Sequence, residues 1–188
     1  MNPATQISDL QLLFANLRAY AQAHPTERHI AQAFIDFLAS GDDVFLRTRM
    51  DGHFTASCWL LSADGERVLL THHRKLARWL QLGGHADGQM DLAKVALTEA
   101  IEESGLSDLA VEPSIFDLDA HLIPARGGEA AHTHWDVRFV LRCAGSEDYQ
   151  VSAESLALAW LPIAQMHDYP DASLQRMARK WQARTLIG

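Results

Sequence analysis

The stretch Leu82-Gly83-Gly84-His85-Ala86-Asp87-Gly88, followed by a helical pattern from Asp91 that ends Glu99-Ala100-Ile101-Glu102-Glu103-Ser104-Gly105-Leu106, decides how this chain is read. The helix spans Asp91 to Ser104 and Gly105 closes it, since glycine readily takes the left-handed conformation that ends a helix. On that helix Glu99 neighbours Glu103 at i, i+4 and Glu102 at i, i+3, so three carboxylates crowd adjoining surface. Each like-charge pair costs about 0.2–0.5 kcal/mol. The helix dipole adds to the penalty, because its C-terminal end favours cations by about 0.3–1 kcal/mol per charge. The only lysine of the helix, Lys94, lies a turn or more earlier. A merely solvated acidic face would be better placed at the other end. A bound divalent cation reverses all these penalties together, because hard cations such as Mg²⁺ take carboxylate oxygens. The pattern therefore points to a metal site.

Outward from this helix, the chain changes character twice. Before Pro25, Leu10, Leu13, Phe14, Leu17 and Ala21 recur at helical spacing, with Ser8 as the expected cap. A second helix, expected to be capped by Thr26, carries Ile30, Phe34, Phe37 and Leu38 on one stripe and stops at Gly41. From Val44 onward the runs are short and rich in β-formers: 44–47, 54–61, 67–71, 79–82 and 115–122, with Asp64-Gly65 as a hairpin turn. Strands over 133–143 and 158–161 follow, and a last helix shows Leu174, Met177, Ala178 and Trp181 on one face. Strands interrupted by one helix and followed by another predict an α/β fold, a mixed sheet packed between helices. Residues 1–42 read as an α-helical N-terminal extension and 43–188 as the main domain.

A chain of 188 residues that is 48% hydrophobic and 21% charged is globular, and too short for two ordinary domains. A formal charge of −8 argues against general nucleic-acid affinity, which needs a basic field. A small anionic ligand remains compatible if basic side chains or cations gather locally. Two cysteines, Cys58 and Cys143, build no disulfide framework, and the N-terminal stretch has no apolar block resembling a signal peptide or membrane span. These features predict a cytoplasmic protein without membrane attachment. Seven of the ten histidines, His53, His72, His73, His85, His121, His132 and His134, fall within residues 53–134, which marks that region for imidazole chemistry.

The segment from Gly84 to Leu106 resembles the Nudix box, in which glycine is followed by five residues, Glu, seven residues, and Arg-Glu-aliphatic-x-Glu-Glu-x-Gly-aliphatic. Gly84, Glu99, Ala100, Glu102, Glu103, Gly105 and Leu106 match. The resemblance implies a Nudix-type α/β/α sandwich over roughly residues 44–185 and hydrolysis of a phosphoanhydride, the pyrophosphate bond of a nucleoside diphosphate-linked or related small-molecule substrate. It also implies Mg²⁺ or Mn²⁺ as cofactor, with Glu99 and Glu103 as ligands and Glu102 as third ligand or base. Many family members take a general base from a later loop, and Glu154 is the candidate here. Two positions depart from the pattern: Met90 stands where it has Glu, and Thr98 where it has Arg. In the family these two pair and orient the catalytic carboxylates, so both halves of one ion pair are missing together. Asp91, one position later, is a candidate replacement for the missing Glu, although it projects about 100° further round the helix.

Around the box, alternation over 133–143 places Trp135, Val137, Phe139, Leu141 and Cys143 on one face, and His134, Asp136, Arg138 and Arg142 on the other with His132. The first face is core. On the second, His134, Asp136 and Arg138 are candidates to line the cleft beside the box helix, with Arg138 meeting a substrate phosphate or carboxylate. Arg74 and Lys75, in the basic run His72-His73-Arg74-Lys75 with Arg78, are further substrate-binding candidates. Gly127-Gly128-Glu129 is expected to form a mobile loop. His53 and His85 are candidate metal ligands, because their arrangement is similar to isopentenyl diphosphate isomerase, a relative in which such histidines bind a metal. That enzyme needs a cysteine two residues before the second histidine, and here the position is Gly83, so the isomerase reading lacks its acid/base thiol. A third reading is a non-catalytic nucleotide-binding module with a degenerate box. The N-terminal helices are candidates for a homodimer contact or a cap on the domain.

Overall fold

The computed structural model describes residues 3–185. Helix α1 (Pro3–Ala23) is followed by α2 (Arg28–Leu38), seven strands, β1 (Gly52–Leu61), β2 (Arg67–His73), β3 (Arg78–Leu80), β4 (Gly83–His85), β5 (Leu109–Ile123), β6 (His132–Cys143) and β7 (Ser155–Pro162), and two further helices. Helix α3 (Leu92–Ser104) lies between β4 and β5, and α4 (Ala172–Thr185) follows β7. The strands belong to one sheet of order β3-β2-β1-β6-β5, with β4 also paired to β1 and β7 to β2. This is the expected α/β architecture of a sheet with flanking helices.

Residue contacts divide the chain into two compact units, the first containing the chain up to Ser57, Gly83–Ala96 and Glu112–Phe139, the second Cys58–Leu82, Leu97–Val111 and the chain from Val140. In the first unit α1 and α2 pack together through buried Leu13, Leu17, Tyr20, Ala31 and Leu38. Phe34 and Phe37 of α2 extend that core onto the strands: the Phe37 ring stacks on Trp135 at 4.5 Å and meets Phe54 edge-on at 5.3 Å. Such aromatic pairs add about 0.5–1.5 kcal/mol beyond area burial. In the second unit β2 pairs antiparallel with β3 and β7, and α4 buries Leu174, Met177, Ala178 and Trp181, the face expected from its spacing. The β1–β2 hairpin turns at Gly65, whose φ of +73° suits the expected Asp64-Gly65 turn. Both cysteines are buried, and neither forms a disulfide. No helix among the described residues is long and apolar enough to cross a membrane.

Several elements differ from their sequence expectation for identifiable reasons. α1 already begins at Pro3, so Ser8 lies inside it rather than capping it. Pro25–Glu27 forms a short 3₁₀ turn, which moves the start of α2 past Thr26, and the Glu27 carboxylate accepts the Tyr20 hydroxyl. Residues 44–47 are not a strand: Asp42–Phe45 is a 3₁₀ turn that buries the adjacent side chains Val44 and Phe45 together, with Phe45 stacked on Phe54 at 5.2 Å. Alternation cannot bury two consecutive residues on one side, whereas a tight helical turn can. The expected run 79–82 divides into the end of β3 and the approach to β4.

β4 is held to β1 by antiparallel pairing of Thr55 with His85, Ala56 with Gly84 and Ser57 with Gly83. A Cβ at Gly83 would sit 2.4 Å from Ser57 Cβ and 2.5 Å from the Ala56 carbonyl oxygen, so glycine is what permits this close approach. Gly83→Ala is therefore expected to destabilise the fold by about 1–3 kcal/mol through overpacking, read as a lower urea midpoint at unchanged slope; a midpoint within error of the native protein would contradict this account.

Candidate functional site

Two sets of chemically capable residues emerge, one on α3 and one on the polar face of β1, β4, β5 and β6. Asp91 supplies the N-cap of α3: its Oδ1 accepts the Lys94 backbone N–H at 3.1 Å, and its own N–H donates to Gln89 Oε1. The carboxylate proposed to replace the missing box Glu is thus occupied in capping the helix. The C-terminal end closes as expected, with Gly105 at φ +72° and its N–H bonded to the Ile101 carbonyl. Within the last two turns, in the second unit, Glu102 is exposed, Glu99 half-buried and Glu103 only 8% exposed. Met90 is half-buried and Thr98 exposed. Carboxylate oxygens on neighbouring turns at a helix C-terminus suit a hard divalent cation.

Also in the second unit, Arg74 and Glu154 come together where β2 meets β7. Arg74 donates through Nε to the Ala153 carbonyl and through Nη2 to the Ser155 carbonyl, both at 2.9 Å, and its backbone N–H donates to the Glu154 carbonyl. The Arg74 guanidinium is thus largely spent on backbone oxygens. Glu154 and Lys75 are exposed. Burial lowers the pKa of His73, with Glu154 acting in the opposite sense.

The polar face in the first unit is not the solvated strand face or open cleft that alternation suggested. Asp136, Arg138 and Asp117 are buried, and they form a connected network. Asp136 accepts from Thr55 Oγ1 at 3.0 Å, Ser57 Oγ at 2.7 Å and Arg138 Nε at 2.7 Å. Arg138 Nη1 donates to Asp117 at 3.1 Å and lies 3.6 Å from Asp119. Burial favours loss of the arginine charge, but Asp136, Asp117 and Asp119 outweigh it and hold the pKa above the ordinary arginine value. With the residue 2% exposed and its guanidinium committed to carboxylates, Arg138 ties strands together instead of meeting a substrate phosphate, correcting the sequence expectation. Asp117 and Asp119 were not singled out from sequence. The alternating Asp117-x-Asp119-x-His121 on β5, facing His134-x-Asp136-x-Arg138 on β6, was the available signal.

Beyond Asp136 the same face carries imidazoles. His53 on β1, His132 and His134 on β6 and His85 on β4 lie close together, with His121 of β5 alongside at 5.6 Å from His134. His85 shares this face because it stands directly opposite Thr55, two residues from His53. The loop after it is held by Arg47, which pairs with Asp87, and by the Gly88 N–H bonded to the Phe45 carbonyl. Burial, then the neighbouring His85 and His132, lowers the His53 pKa to about 4; burial, then His85 and His53, lowers that of His134 to about 3. The pKa of His85 is also lowered, first by burial and then by Arg47. The His53 and His134 rings are therefore neutral near pH 7. The expected Gly127-Gly128-Glu129 loop is a tight turn closed by reciprocal Arg126 and Glu129 backbone bonds at 3.1 Å, with both glycines at positive φ.

The sequence matches no protein-family profile and no curated protein. Its fold is similar to solved structures. The Ap4A hydrolase of C. elegans, in a binary complex, aligns with a TM-score of 0.59 at 18% identity, covering 72% of this chain and 98% of that one. The dihydroneopterin triphosphate pyrophosphohydrolase of E. coli aligns with a TM-score of 0.55 at 17% identity, covering 70% and 95%. A Nudix-family hydrolase from Clostridium perfringens aligns with a TM-score of 0.52 at 20% identity, covering 72% and 98%. At such identities the likeness is one of fold.

The buried network makes a direct prediction. Arg138→Met leaves Asp117 and Asp136 without their buried cation and is expected to cost about 3–5 kcal/mol, measured by denaturant unfolding. A loss under about 1 kcal/mol, the worth of an exposed pair, would show that the guanidinium does not hold these strands together.

Proposed function

We propose that this chain, which has the fold of the Nudix hydrolases, is a divalent-metal-dependent pyrophosphohydrolase acting on a nucleoside diphosphate-linked or related small-molecule diphosphate. The observation that carries the reading is the placement of Glu99, Glu102 and Glu103 on the last two turns of α3, closed by Gly105, at the spacing of the box and within this fold. The donor set fits Mg²⁺ or Mn²⁺: three carboxylates, one of them buried, and no sulfur or nitrogen ligand on the helix stretch that bears them.

Glu99 and Glu103 would hold the cation, and Glu102, exposed on the adjacent surface, would serve as third ligand or as base. When bound, the divalent cation supplies neutralisation of the phosphate oxygens and acidification of the attacking water. Water oxygen bonds to phosphorus, the P–O bond to the leaving phosphate group breaks, and the water proton passes to a carboxylate. Glu154, exposed and carried by the loop that Arg74 anchors, is the proposed general base. Lys75, exposed beside it, is the basic side chain proposed to meet the anionic substrate. With Met90 and Thr98 in place of the box pair, no ion pair between those positions orients the glutamates. Orientation then falls to the helix itself, fixed by the Asp91 cap at one end and the Gly105 turn at the other.

The test is a substrate panel of nucleoside diphosphate sugars, ADP-ribose, nucleotides and dinucleoside polyphosphates with Mg²⁺ or Mn²⁺, scored for phosphate or monophosphate release. Metal-dependent turnover of at least one class is expected. Glu103→Gln is expected to remove it while circular dichroism stays native. Glu154→Gln is expected to lower kcat by about 10²–10⁴-fold, the range of a positioned acid/base group. No turnover across the panel by the native protein would overturn the hydrolase reading in favour of a ligand-binding module.

A further inference from the structure

We propose that His53, His132, His134 and His85 form a site for one divalent transition-metal ion of the zinc class, separate from the carboxylate site on α3. Three observations, all within the first unit, support it. The first is an unpartnered group. His53 is 2% exposed, and neither ring nitrogen has a hydrogen-bond partner. The Arg49 backbone carbonyl is near enough to favour a proton on the ring, but it lies outside hydrogen-bonding geometry. Leaving such a group buried and unsatisfied is costly, and the Asp136 network a few residues along β1 shows that neighbouring polar groups on this face are satisfied.

The second observation is geometric. One ligand nitrogen from each of His53, His132 and His134 can be chosen so that all three lie within 4.8 Å of one another. The Nε2 atoms of His132 and His134 are 3.3 Å apart. Metal–nitrogen bonds of about 2.0–2.1 Å in a tetrahedral site separate ligand nitrogens by roughly 3.3 Å and imidazole centroids by roughly 5 Å. The observed centroid separations are 5.0 Å for His53–His132, His53–His134 and His53–His85, and 5.1 Å for His132–His134 and His85–His134. The rings are tilted or edge-on in four of these five pairs, which is unlike a stacked aromatic cluster.

The third observation is orientation. His132 Nδ1 is 2.9 Å from the Ala130 carbonyl, an acceptor only, so this nitrogen carries a proton and Nε2 is the ring atom turned toward His134. A backbone carbonyl on the distal nitrogen is the usual means of orienting a ligating histidine. Nearby, Asp136, Asp117 and Asp119 gather three carboxylates around the Arg138 guanidinium on this face. Imidazole nitrogens select zinc-class ions over Mg²⁺, which prefers oxygen, so the two sites would not compete for the same metal.

The test uses tag-free, chelator-treated protein with Zn²⁺ or Co²⁺ alone. One ion per chain is expected, with the visible spectrum of Co²⁺ in a nitrogen-rich tetrahedral field and a raised thermal midpoint. His134→Ala and His132→Ala are each expected to weaken binding by more than about 100-fold, since losing even a partner of a ligating histidine costs 10–100-fold. The half-buried His132 keeps the test open if a variant at buried His53 fails to fold. The variant carrying Glu99→Gln, Glu102→Gln and Glu103→Gln is expected to bind Zn²⁺ and Co²⁺ as the native protein does. Uptake that survives both histidine substitutions, or that disappears with the glutamates instead, would overturn the proposal. Excess Mg²⁺ displacing Co²⁺ would do the same.

Discussion

Asp136 and Arg138 are charged side chains on a strand buried on both faces, and neither can leave water without partners. A buried ion pair offsets its desolvation only when the remaining donors and acceptors are also met. Here Thr55 and Ser57 reach Asp136 from β1, and Asp117 meets Arg138 from β5. A one-residue slip of β6 would turn both charges into the apolar layer containing Trp135, Val137 and Phe139, so the network also specifies register. That register determines which side chains precede Asp136 on the same face, namely His134 and His132. The imidazole cluster follows from the charge network, in that a sheet locked by Asp136 and Arg138 must bring His53, His132 and His134 side by side.

The chain thus carries two donor sets of different chemical character. The α3 set is built of carboxylates, hard oxygen donors at the unfavourable end of a helix dipole. The strand set is built of imidazoles, one of them buried with both nitrogens unmet. Each belongs to its own compact unit, and each owes its arrangement to a different regularity. Helical spacing gathers Glu99, Glu102 and Glu103 from five consecutive positions. Strand pairing gathers His53, His85, His132 and His134 from positions up to 81 apart. The close approach at Gly83, where no side chain fits against Ser57, lets the short β4 reach β1 and bring His85 to the cluster.

Elements with a sustained period were legible in the sequence. The stripes of α2 and α4, the hairpin at Gly65 and the helix closed by Gly105 all lie where spacing and turn chemistry placed them. The 3₁₀ turns at Pro25–Glu27 and Asp42–Phe45 were not, because three or four residues hold too little of any period to separate a tight turn from a cap or a short strand. At the site, alternation correctly divided β6 into an apolar and a polar face. Whether the polar face met water, a ligand or other strands depended on Thr55, Ser57 and Asp117, and nothing local in β6 records them. Arg138 therefore looked free to meet a phosphate when its guanidinium was already held.

By itself the sequence determined what depends on neighbours a few residues apart: the helices with their stripes, the box-like spacing of three glutamates, and the strand alternation that put histidines and charges on one side. These follow from backbone periodicity, which is local. The tertiary structure decided which of those side chains are buried, which charges cancel and which imidazoles meet. Burial and pairing are set by residues brought together across the sheet, and only the completed strand register brings His53, His85, His132 and His134 to one place.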